Sequence, residues 1–172
     1  MSSNLFDMTN KVALITGSSK GIGRAIAEEM ARQGAKVVIS SRKADVCREV
    51  ADAINAEAKA SGNETGEAIV IPAHVGQRDA LQHLVDETRA RLGQIDVLVC
   101  NAAVNPFYGS MQELPDDAMD KILDINIKSN HWLVNMVLPE MIERKDGSII
   151  VVSSVGGLRG SPVLGAYCIS KA

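Results

Sequence analysis

A glycine-rich turn constrains the fold more than any other feature of this sequence. It reads Thr16-Gly17-Ser18-Ser19-Lys20-Gly21-Ile22-Gly23, follows an apolar run and precedes an amphipathic one. Gly17 allows a tight turn after a strand, Gly21 leaves room for a pyrophosphate, and Gly23 lets a helix pack closely. The free N–H groups at the start of that helix would face the phosphates. The spacing predicts a strand, a phosphate-binding turn and a helix, although an ordinary glycine turn could share it.

Apolar runs and amphipathic runs alternate along the rest of the chain. Strands are predicted at residues 12–16, 36–40, 68–72, 95–100 and 148–152, and helices at 21–33, 44–59, 79–91, 115–144 and from about 163. Short connections between them favour right-handed βαβ crossovers. The predicted fold is α/β, a doubly wound parallel sheet of Rossmann type with strand order 3-2-1-4-5 and a ligand at the carboxyl ends. Pro139 is expected to kink or divide the long helix.

The composition predicts a single domain over residues 1–172 and excludes several kinds of partner. A formal net charge of −3 gives no electrostatic footprint for nucleic acid. The three cysteines have neither metal-ligand spacing nor an even disulfide set, so we expect a reducing cytoplasm and no metal. There is no secretory pattern at the start and no apolar run that could span a bilayer, so we expect no membrane partner. The sequon Asn63-Glu64-Thr65 is therefore interpreted as a chance match.

The end of the second predicted strand favours NADP over NAD. A cofactor with a free ribose 2′-OH needs an acidic residue there. The chain instead reads Ser40-Ser41-Arg42-Lys43, with no acid before Asp45. Arg42 can hold a 2′-phosphate through charge-assisted hydrogen bonds worth about 1.5–3 kcal/mol each, and Lys20 adds a second cation. A solvated basic edge of the sheet is the alternative interpretation.

A second motif near the end of the chain indicates acid/base chemistry. Tyr167 and Lys171 are four residues apart and would share one face of a helix. An ammonium about 4 Å from the phenol, at an effective dielectric of about 20, is worth up to roughly 4 kcal/mol. This is enough to move a tyrosinate toward working pH. Ser154, in the loop after the fifth strand, can hydrogen-bond a substrate carbonyl. One such motif is often a chance helix surface, but this placement favours a catalytic site.

Together these motifs resemble the short-chain dehydrogenase/reductase family over essentially the whole chain. The matching residues are the glycine turn, Asn101-Ala102-Ala103 after the fourth strand, Asn126 in the long helix, Ser154, and Tyr167 with Lys171. The resemblance implies that Tyr167 is the general acid/base and that Ser154 orients the carbonyl. It implies that Lys171 lowers the pKa of Tyr167 and binds the nicotinamide ribose, and that Asn126 holds a water linking Lys171 to solvent.

The resemblance also implies a cofactor site along the carboxyl edge of the sheet. Asn101 and Ala102 would line the path of the cofactor, and Asn101 would also brace the central strands. The residues expected to contact NADP are Gly17, Ser19, Lys20, Gly21, Ile22, Gly23, Ser41, Arg42, Val75, Asn101, Ala102, Tyr167 and Lys171.

Three departures from the family pattern are visible. Cys100 stands where the family often has Asn, and His74-Val75-Gly76 replaces a segment that usually carries an adenine-binding Asp, so a backbone contact at Val75 is expected instead. The chain stops at Ala172, so we expect an N-terminal fragment of a longer chain that lacks the C-terminal strands. The runs His74-Val75-Gly76 and Asn101-Ala102-Ala103-Val104-Asn105-Pro106 resemble the branch of NADP-dependent carbonyl and retinal reductases.

Two hypotheses about function remain open. One is an NADP-dependent reductase of ketones or aldehydes, which transfers a hydride between nicotinamide and a small carbonyl or secondary alcohol. The other is a non-catalytic dinucleotide-binding module, or an inactive fragment, that acts through a partner. The set Asn126, Ser154, Tyr167 and Lys171 favours the first, because binding alone needs no acid/base pair. The resemblance further implies a homo-oligomer, paired through the helices that carry Asn126 and Tyr167.

Overall fold

Five parallel strands form one sheet in the computed structural model, which describes residues 5–62 and 66–172. The strands are β1 (Val12–Thr16), β2 (Lys36–Ser40), β3 (Glu67–Val70), β4 (Val97–Cys100) and β5 (Ser148–Val151). Their order across the sheet is β3-β2-β1-β4-β5, and every neighbouring pair is parallel. The predicted Rossmann-like fold and strand order are therefore confirmed. The order reverses between β1 and β4, which places a crevice at their carboxyl ends.

Helices cover both faces of this sheet. They are α1 (Gly21–Arg32), α2 (Ala44–Ser61), α3 (Arg78–Leu92), α4 (Asp116–Leu123), α5 (Ser129–Arg144) and α6 (Gly165–Ile169). A π-helical turn, Asp124–Lys128, joins α4 to α5, and a short 3-10 turn, Val155–Gly157, precedes α6. Helix α2 ends at Gly62, whose φ of +70° is a conformation that glycine adopts readily.

The core consists of two apolar layers, one on each side of the sheet. Alternate side chains of β1 enter different layers: Ala13 and Ile15 pack with α1 and α2, whereas Leu14 packs with α3 and α5. All five residues of β1 are buried. A continuous apolar run is what a parallel strand covered on both faces requires, which explains the composition of β1 and β2.

The long helical region differs from the prediction. Helix α5 runs through Pro139 without being divided there, and Pro139 lies on the exposed side, where water can reach the carbonyl that loses its donor. The interruption is the π-helical turn at Asp124–Lys128. Strand β3 ends at Val70, two residues early, although the backbone N–H groups of Ile71 and Ala73 still donate to the carbonyls of Ile39 and Ser41. Strand β4 starts at Val97, two residues later than predicted.

The edges and ends of the described chain have three further features. Strand β5 forms one edge of the sheet, and its Ile150 and Val151 are exposed. No described helix combines the length and the apolar character needed to cross a membrane. The sequon at residues 63–65 lies outside the described residues.

Candidate functional site

The glycine turn joins β1 to α1 at the carboxyl edge of the sheet. Gly17 and Gly21 have φ angles of +66° and +56°, which side chains other than glycine adopt at a cost. A Cβ built on Gly21 would meet no atom within 4 Å, so the space above this residue is open. A Cβ on Gly23 would lie 2.6 Å from the carbonyl oxygen of Gly17 and would also collide with the amide of Asn101. The turn is thus packed beneath and open above, as a pyrophosphate site requires.

Asn101 and Thr16 hold this turn against the end of β4. The Asn101 Nδ2 donates to the carbonyl oxygens of Thr16 at 2.9 Å and Gly17 at 3.2 Å. The Thr16 hydroxyl accepts the backbone N–H groups of Asn101 and Ala102, both at 3.1 Å. The sequence reading did not identify Thr16, although a threonine that ends a buried strand is a recognisable signal. These bonds fix the floor of the crevice at the point where the strand order reverses.

Ser18 forms a second brace that the sequence reading missed. It is fully buried, and its hydroxyl donates to the carbonyl of Ile15 at 2.8 Å and accepts the N–H of Ser40 at 2.9 Å. The turn is therefore tied to β2 as well as to β4. Ser19 and Ile22, in the same turn, are both expected to contact the cofactor. Ser19 is half-buried and Ile22 is exposed.

The cations expected to hold a 2′-phosphate are exposed at the end of β2 and in the turn. Arg42 and Lys20 are exposed, and within the described part of the chain no hydrogen bond or ion pair holds Arg42. Ser41 is different, because its hydroxyl lies 3.1 Å from the Sγ of Cys47 and accepts the N–H of Lys43 at 3.3 Å. Ser41 thus shapes the start of α2, while Arg42 keeps all its donors for a ligand.

Tyr167 and Ser154 lie on either side of Gly156. Ser154 precedes the 3-10 turn, and its hydroxyl accepts the N–H of Gly156 at 3.1 Å. A Cβ built on Gly156 would stand 3.6 Å from the Ser154 Oγ and 3.7 Å from the Tyr167 Cδ1. The structure therefore brings together the two residues that the sequence placed in one catalytic site. Tyr167 is half-buried in α6, with one side open to a cleft described below.

Lys171 is not on one helix with Tyr167, as the spacing predicted, because α6 ends at Ile169. It is held instead at the carboxyl end of β5. Its side chain is buried, and its Nζ donates to the carbonyl of Val152 at 2.7 Å. The Ser153 hydroxyl donates to the backbone carbonyl of Lys171 at 2.5 Å. Burial lowers the pKa of the Lys171 ammonium, partly opposed by Cys100. Burial also raises the pKa of the Cys100 thiol to about 12, against the attraction of the Lys171 charge. Cys100 is therefore a neutral neighbour of the lysine.

Asn126 supports the segment that carries Tyr167 and Lys171. Its Oδ1 accepts the N–H of Val104 at 2.8 Å, and its Nδ2 donates to the carbonyl of Val104 at 3.0 Å and to the Ser170 Oγ at 2.9 Å. The Ser170 hydroxyl donates in turn to the carbonyl of Tyr167 at 2.7 Å. Asn126 thus joins the loop after β4 to α6 through Ser170. Its role in holding a water stays a prediction.

The carbonyl of Asn126 has a partner of its own. The Asn130 Nδ2 donates to it at 2.8 Å, within the π-helical turn and the first turn of α5. The sequence reading missed both Ser170 and Asn130. Ser170 could have been identified as a site residue because it precedes Lys171 in the sequence. Nothing in the apolar pattern identifies Asn130.

The segment after β3 contains Val75 beside His74. Val75 is half-buried, and the Nδ1 of His74 accepts the N–H of Gly76 at 3.1 Å. His74 is thus engaged in a local turn. Among residues 5–62 and 66–172, no group of three or more His, Cys, Asp or Glu side chains could hold a metal ion.

A shallow, mostly apolar cleft opens beside Tyr167. None of the described residues that line it is charged. They come from the loop between β4 and α4, from α4, and from the start of α6: Asn105, Phe107, Gly109, Ser110, Met111, Leu114, Ile122, Val163, Leu164, Gly165, Ala166 and Tyr167. The cleft therefore presents an uncharged, mostly apolar surface beside Tyr167.

The lowered pKa of Lys171 predicts a pH dependence of stability. Because the pKa is lower in the folded protein, the unfolded chain binds more protons between that value and about 10.4. Below this window Lys171 is charged in the folded protein, and burying that charge lowers the free energy of unfolding by its full amount. As the pH rises through the window, the buried side chain loses its proton and this destabilisation disappears. We therefore expect the stability of the wild type, relative to Lys171→Met, to increase from about pH 7 to pH 10. Urea denaturation of both proteins in a Cys100→Ala background measures this, and parallel curves would contradict it.

The parallel sheet, with its glycine turn between β1 and α1, has the architecture of dinucleotide-binding proteins, and comparison with known proteins gives the family. A family model described as short chain dehydrogenase matches residues 11–172. The chain belongs to this family, the short-chain dehydrogenases/reductases, which are oxidoreductases that use a nicotinamide cofactor.

Three similar proteins illustrate the likeness. The bovine (Bos taurus) dehydrogenase/reductase SDR family member 4 is 42% identical over 164 residues, covering 95% of this chain and 56% of the relative. A short-chain dehydrogenase/reductase from Mycobacterium marinum superposes with a TM-score of 0.85 at 33% identity, over 97% of this chain and 64% of that one. A metagenomic short-chain oxidoreductase in complex with NADP superposes with a TM-score of 0.87 at 33% identity, over 96% of this chain and 72% of that one. The chain thus spans little more than half the length of that curated relative.

Proposed function

We propose that this protein is an NADP(H)-dependent oxidoreductase that moves a hydride between nicotinamide and a ketone, an aldehyde or a secondary alcohol. The observation that supports this most directly is the position of Tyr167 in the wall of an uncharged cleft, with Ser154 beside it across Gly156. A binding module needs no tyrosine in the wall of such a cleft with a serine hydroxyl close to its ring. The NADP in the metagenomic neighbour supports the choice of cofactor.

The residues at the carboxyl edge suit a dinucleotide with a 2′-phosphate. The N–H groups at the start of α1, above the open side of Gly21, would hold the pyrophosphate. Arg42 and Lys20 would bind the 2′-phosphate, and no acidic side chain stands between β2 and Asp45 to repel it. Lys171 would bind the nicotinamide ribose. When bound, the nicotinamide supplies or accepts the hydride.

The proton transfer is assigned to this chain's own residues. The Ser154 hydroxyl donates a hydrogen bond to the substrate carbonyl oxygen, and the Tyr167 phenol gives its proton to the same oxygen during reduction. The Lys171 ammonium stabilises the phenolate that results. In the reverse direction the phenolate removes the proton of the alcohol. Ser170 and Asn126 keep the backbone of Tyr167 in place through their hydrogen bonds.

Measuring NADPH oxidation against a series of ketones and aldehydes tests this proposal. The protein is expressed from its full reading frame and compared with a Tyr167→Phe variant. Turnover that depends on Tyr167 supports the reductase. NADPH binding with no turnover of any carbonyl would instead support the non-catalytic dinucleotide-binding module.

Arg42→Ala is expected to reverse or erase the preference for NADP. Removing a charge-assisted hydrogen bond to the 2′-phosphate, worth about 1.5–3 kcal/mol, lowers kcat/KM for NADPH by roughly 10- to 100-fold. The value for NADH, which has no such phosphate, should change little. Lys43→Ala is the matched control, because Lys43 is the neighbouring exposed cation. If the NADPH to NADH ratio of Arg42→Ala equals that of the wild type, NADP is the wrong cofactor.

A second copy of the chain is the proposed partner, giving a homo-oligomer. Leu138 and Ile142 are exposed four residues apart on one face of α5, and Ile127 is exposed in the π-helical turn before it. An apolar stripe of this kind suits a helix-to-helix contact with an identical stripe. Light scattering should give a dimer or tetramer for the wild type and a smaller mass for Leu138→Ser/Ile142→Ser. A monomeric wild type would overturn the proposal.

We further propose the reducing cytoplasm as the location. Cys47, Cys100 and Cys168 are all unpaired and buried. Alkylation of intact cells, followed by denaturation and a second label, should find all three cysteines reduced. A disulfide-linked form in the cell would contradict this location.

A further inference from the structure

We infer that Asn130 is a positioning residue, which fixes the place of Tyr167 through a chain of three hydrogen bonds. Asn130 acts on the phenol through other residues and not through a contact of its own with substrate. This inference rests on the proposed function, in which Tyr167 gives its proton to the substrate, for its kinetic test. Its spectroscopic test is independent of turnover.

The chain of hydrogen bonds runs from the first turn of α5 to the backbone of Tyr167. The Asn130 Nδ2 donates to the carbonyl oxygen of Asn126 at 2.8 Å. The Asn126 Nδ2 donates to the Ser170 Oγ at 2.9 Å, and the Ser170 hydroxyl donates to the carbonyl oxygen of Tyr167 at 2.7 Å. Asn126 and Ser170 are both buried. Water therefore cannot readily replace a lost partner, and each broken bond leaves a polar group unsatisfied.

The π-helical turn explains why the backbone of Asn126 needs a side-chain donor. The backbone N–H of Ser129 donates to the carbonyl of Asp124, five residues back, and not to that of Ile125, as it would in an α-helix. The Ser129 hydroxyl donates to the Ile125 carbonyl instead, at 2.6 Å. Asn130 repeats this arrangement one residue later, with its amide on the carbonyl of Asn126. Side chains thus supply donors to two successive carbonyls within the π-helical turn.

The side chain of Asn126 is held separately from its backbone. Its Oδ1 accepts the N–H of Val104 at 2.8 Å, and its Nδ2 donates to the carbonyl of Val104 at 3.0 Å. These two bonds fix the amide relative to the loop after β4, but not the π-helical backbone from which the side chain projects. Asn130 fixes that backbone, so Asn126 is held at both ends while it reaches Ser170.

The short helix α6 cannot hold Tyr167 in place by itself. It has five residues, and a helix of that length is not stable without tertiary contacts. Lys171, beyond its end, is held by the carbonyl of Val152 and the hydroxyl of Ser153. Tyr167 and Lys171 are thus held by different parts of the chain. Loss of the bond from Asn130 should therefore move the phenol relative to the ammonium.

Two substitutions at position 130 remove the donated hydrogen bond. Asn130→Asp keeps the shape of the side chain but turns an oxygen toward the Asn126 carbonyl, and Asn130→Ala removes the donor without adding a charge. With the best substrate of the carbonyl series, kcat should fall by about 10-fold or more in both, because a displaced phenol transfers its proton less readily. The KM for the carbonyl and the Kd for NADPH should stay within about twofold of the wild type, since the phosphates are held at the glycine turn.

A rescue variant and a matched control accompany these two. In Asn130→Ser the hydroxyl can donate to the carbonyl four residues back, as that of Ser129 does, so kcat should lie within about threefold of the wild type. Asn135→Asp makes the same chemical change at an exposed residue of α5 whose amide contacts the His131 ring, outside the chain of hydrogen bonds. Its kcat should equal that of the wild type.

Three kinetic results would overturn the inference and leave the reductase function standing. One is a wild-type kcat in Asn130→Ala and Asn130→Asp. Another is an equal loss of kcat in Asn130→Ser and Asn130→Ala, because the donated bond would then not be what matters. The third is a rise in the Kd for NADPH as large as the fall in kcat, which would indicate a general loosening of the fold. If Asn130→Asp does not fold, Asn130→Ala provides the same test.

Fluorine NMR with 3-fluorotyrosine provides the second arm, which needs no turnover. The Tyr167 signal is identified by its loss in Tyr167→Phe, and the exposed Tyr108 serves as the internal reference. Asn130→Ala should shift the Tyr167 signal but not the Tyr108 signal, and Asn130→Ser should return the Tyr167 signal to its wild-type position. This pattern in a protein that turns over no carbonyl would remove the proposed function and keep the positioning role. An unmoved Tyr167 signal in Asn130→Ala would overturn the inference.

Discussion

Replacing Tyr167 by phenylalanine is expected to lower kcat for carbonyl reduction by about 10²- to 10⁴-fold. The variant keeps the ring that packs in α6 and loses the hydroxyl that would give its proton to the substrate oxygen. Ser154 remains and can still hydrogen-bond the carbonyl, but an aliphatic hydroxyl is a much weaker acid than a phenol. The Kd for NADPH, followed by nicotinamide fluorescence, should change far less than kcat, since the phosphates are held at the glycine turn.

Tyr108→Phe is the matched control for this experiment. Tyr108 is the other tyrosine of the chain, is 75% exposed and does not line the cleft, so it undergoes the same chemical change away from the site. Stopped-flow measurement of NADPH consumption separates the chemical step from product release. Equal rates in the Tyr167→Phe and wild-type proteins would exclude Tyr167 as the proton donor.

The fold could be predicted because each of its rules acts locally. The apolar runs of β1 and β2 predict buried strands, and the amphipathic runs of α1 and α2 predict helices that cover the sheet. Each of these predictions needs only the local sequence. Strand order then follows from crossover handedness and from the position of the glycine turn. Boundaries were less exact, by two residues at the end of β3 and at the start of β4.

The parts that escaped prediction depend on contacts between distant segments. The π-helical turn at Asp124–Lys128 could not be predicted, because it contains neither of the residues, Gly and Pro, that mark a helix interruption in a sequence. The bridge from Asn126 to Ser170 joins residues forty-four positions apart. The contact between Met111 and Gly165 likewise needs two loops to be placed first. The residue types of the site could be predicted, but not the hydrogen bonds that hold them.

Gly23→Ala is expected to disturb the packing beneath the glycine turn and so weaken cofactor binding. The new methyl group would meet the carbonyl oxygen of Gly17 at 2.6 Å and the side-chain amide of Asn101. Neither can yield easily, because Asn101 Nδ2 is bonded to Thr16 and Gly17, and Gly17 is held in its positive-φ turn. We expect the free energy of unfolding to fall by about 1–3 kcal/mol and the Kd for NADPH to rise at least about tenfold.

Gly160→Ala distinguishes this clash from the general effect of replacing glycine. A Cβ on Gly160 meets no atom within 4 Å, and the residue does not have a positive φ, so this variant should be neutral or slightly more stable, by less than about 1 kcal/mol. Urea denaturation and NADPH titration of both variants give the comparison. If Gly23→Ala kept wild-type stability and NADPH affinity, the close approach of α1 to the end of β1 would not be what shapes the phosphate site. Loss of affinity with unchanged stability would instead mean that the turn opens locally while the sheet stays intact, because only the turn and Asn101 contact the new methyl group.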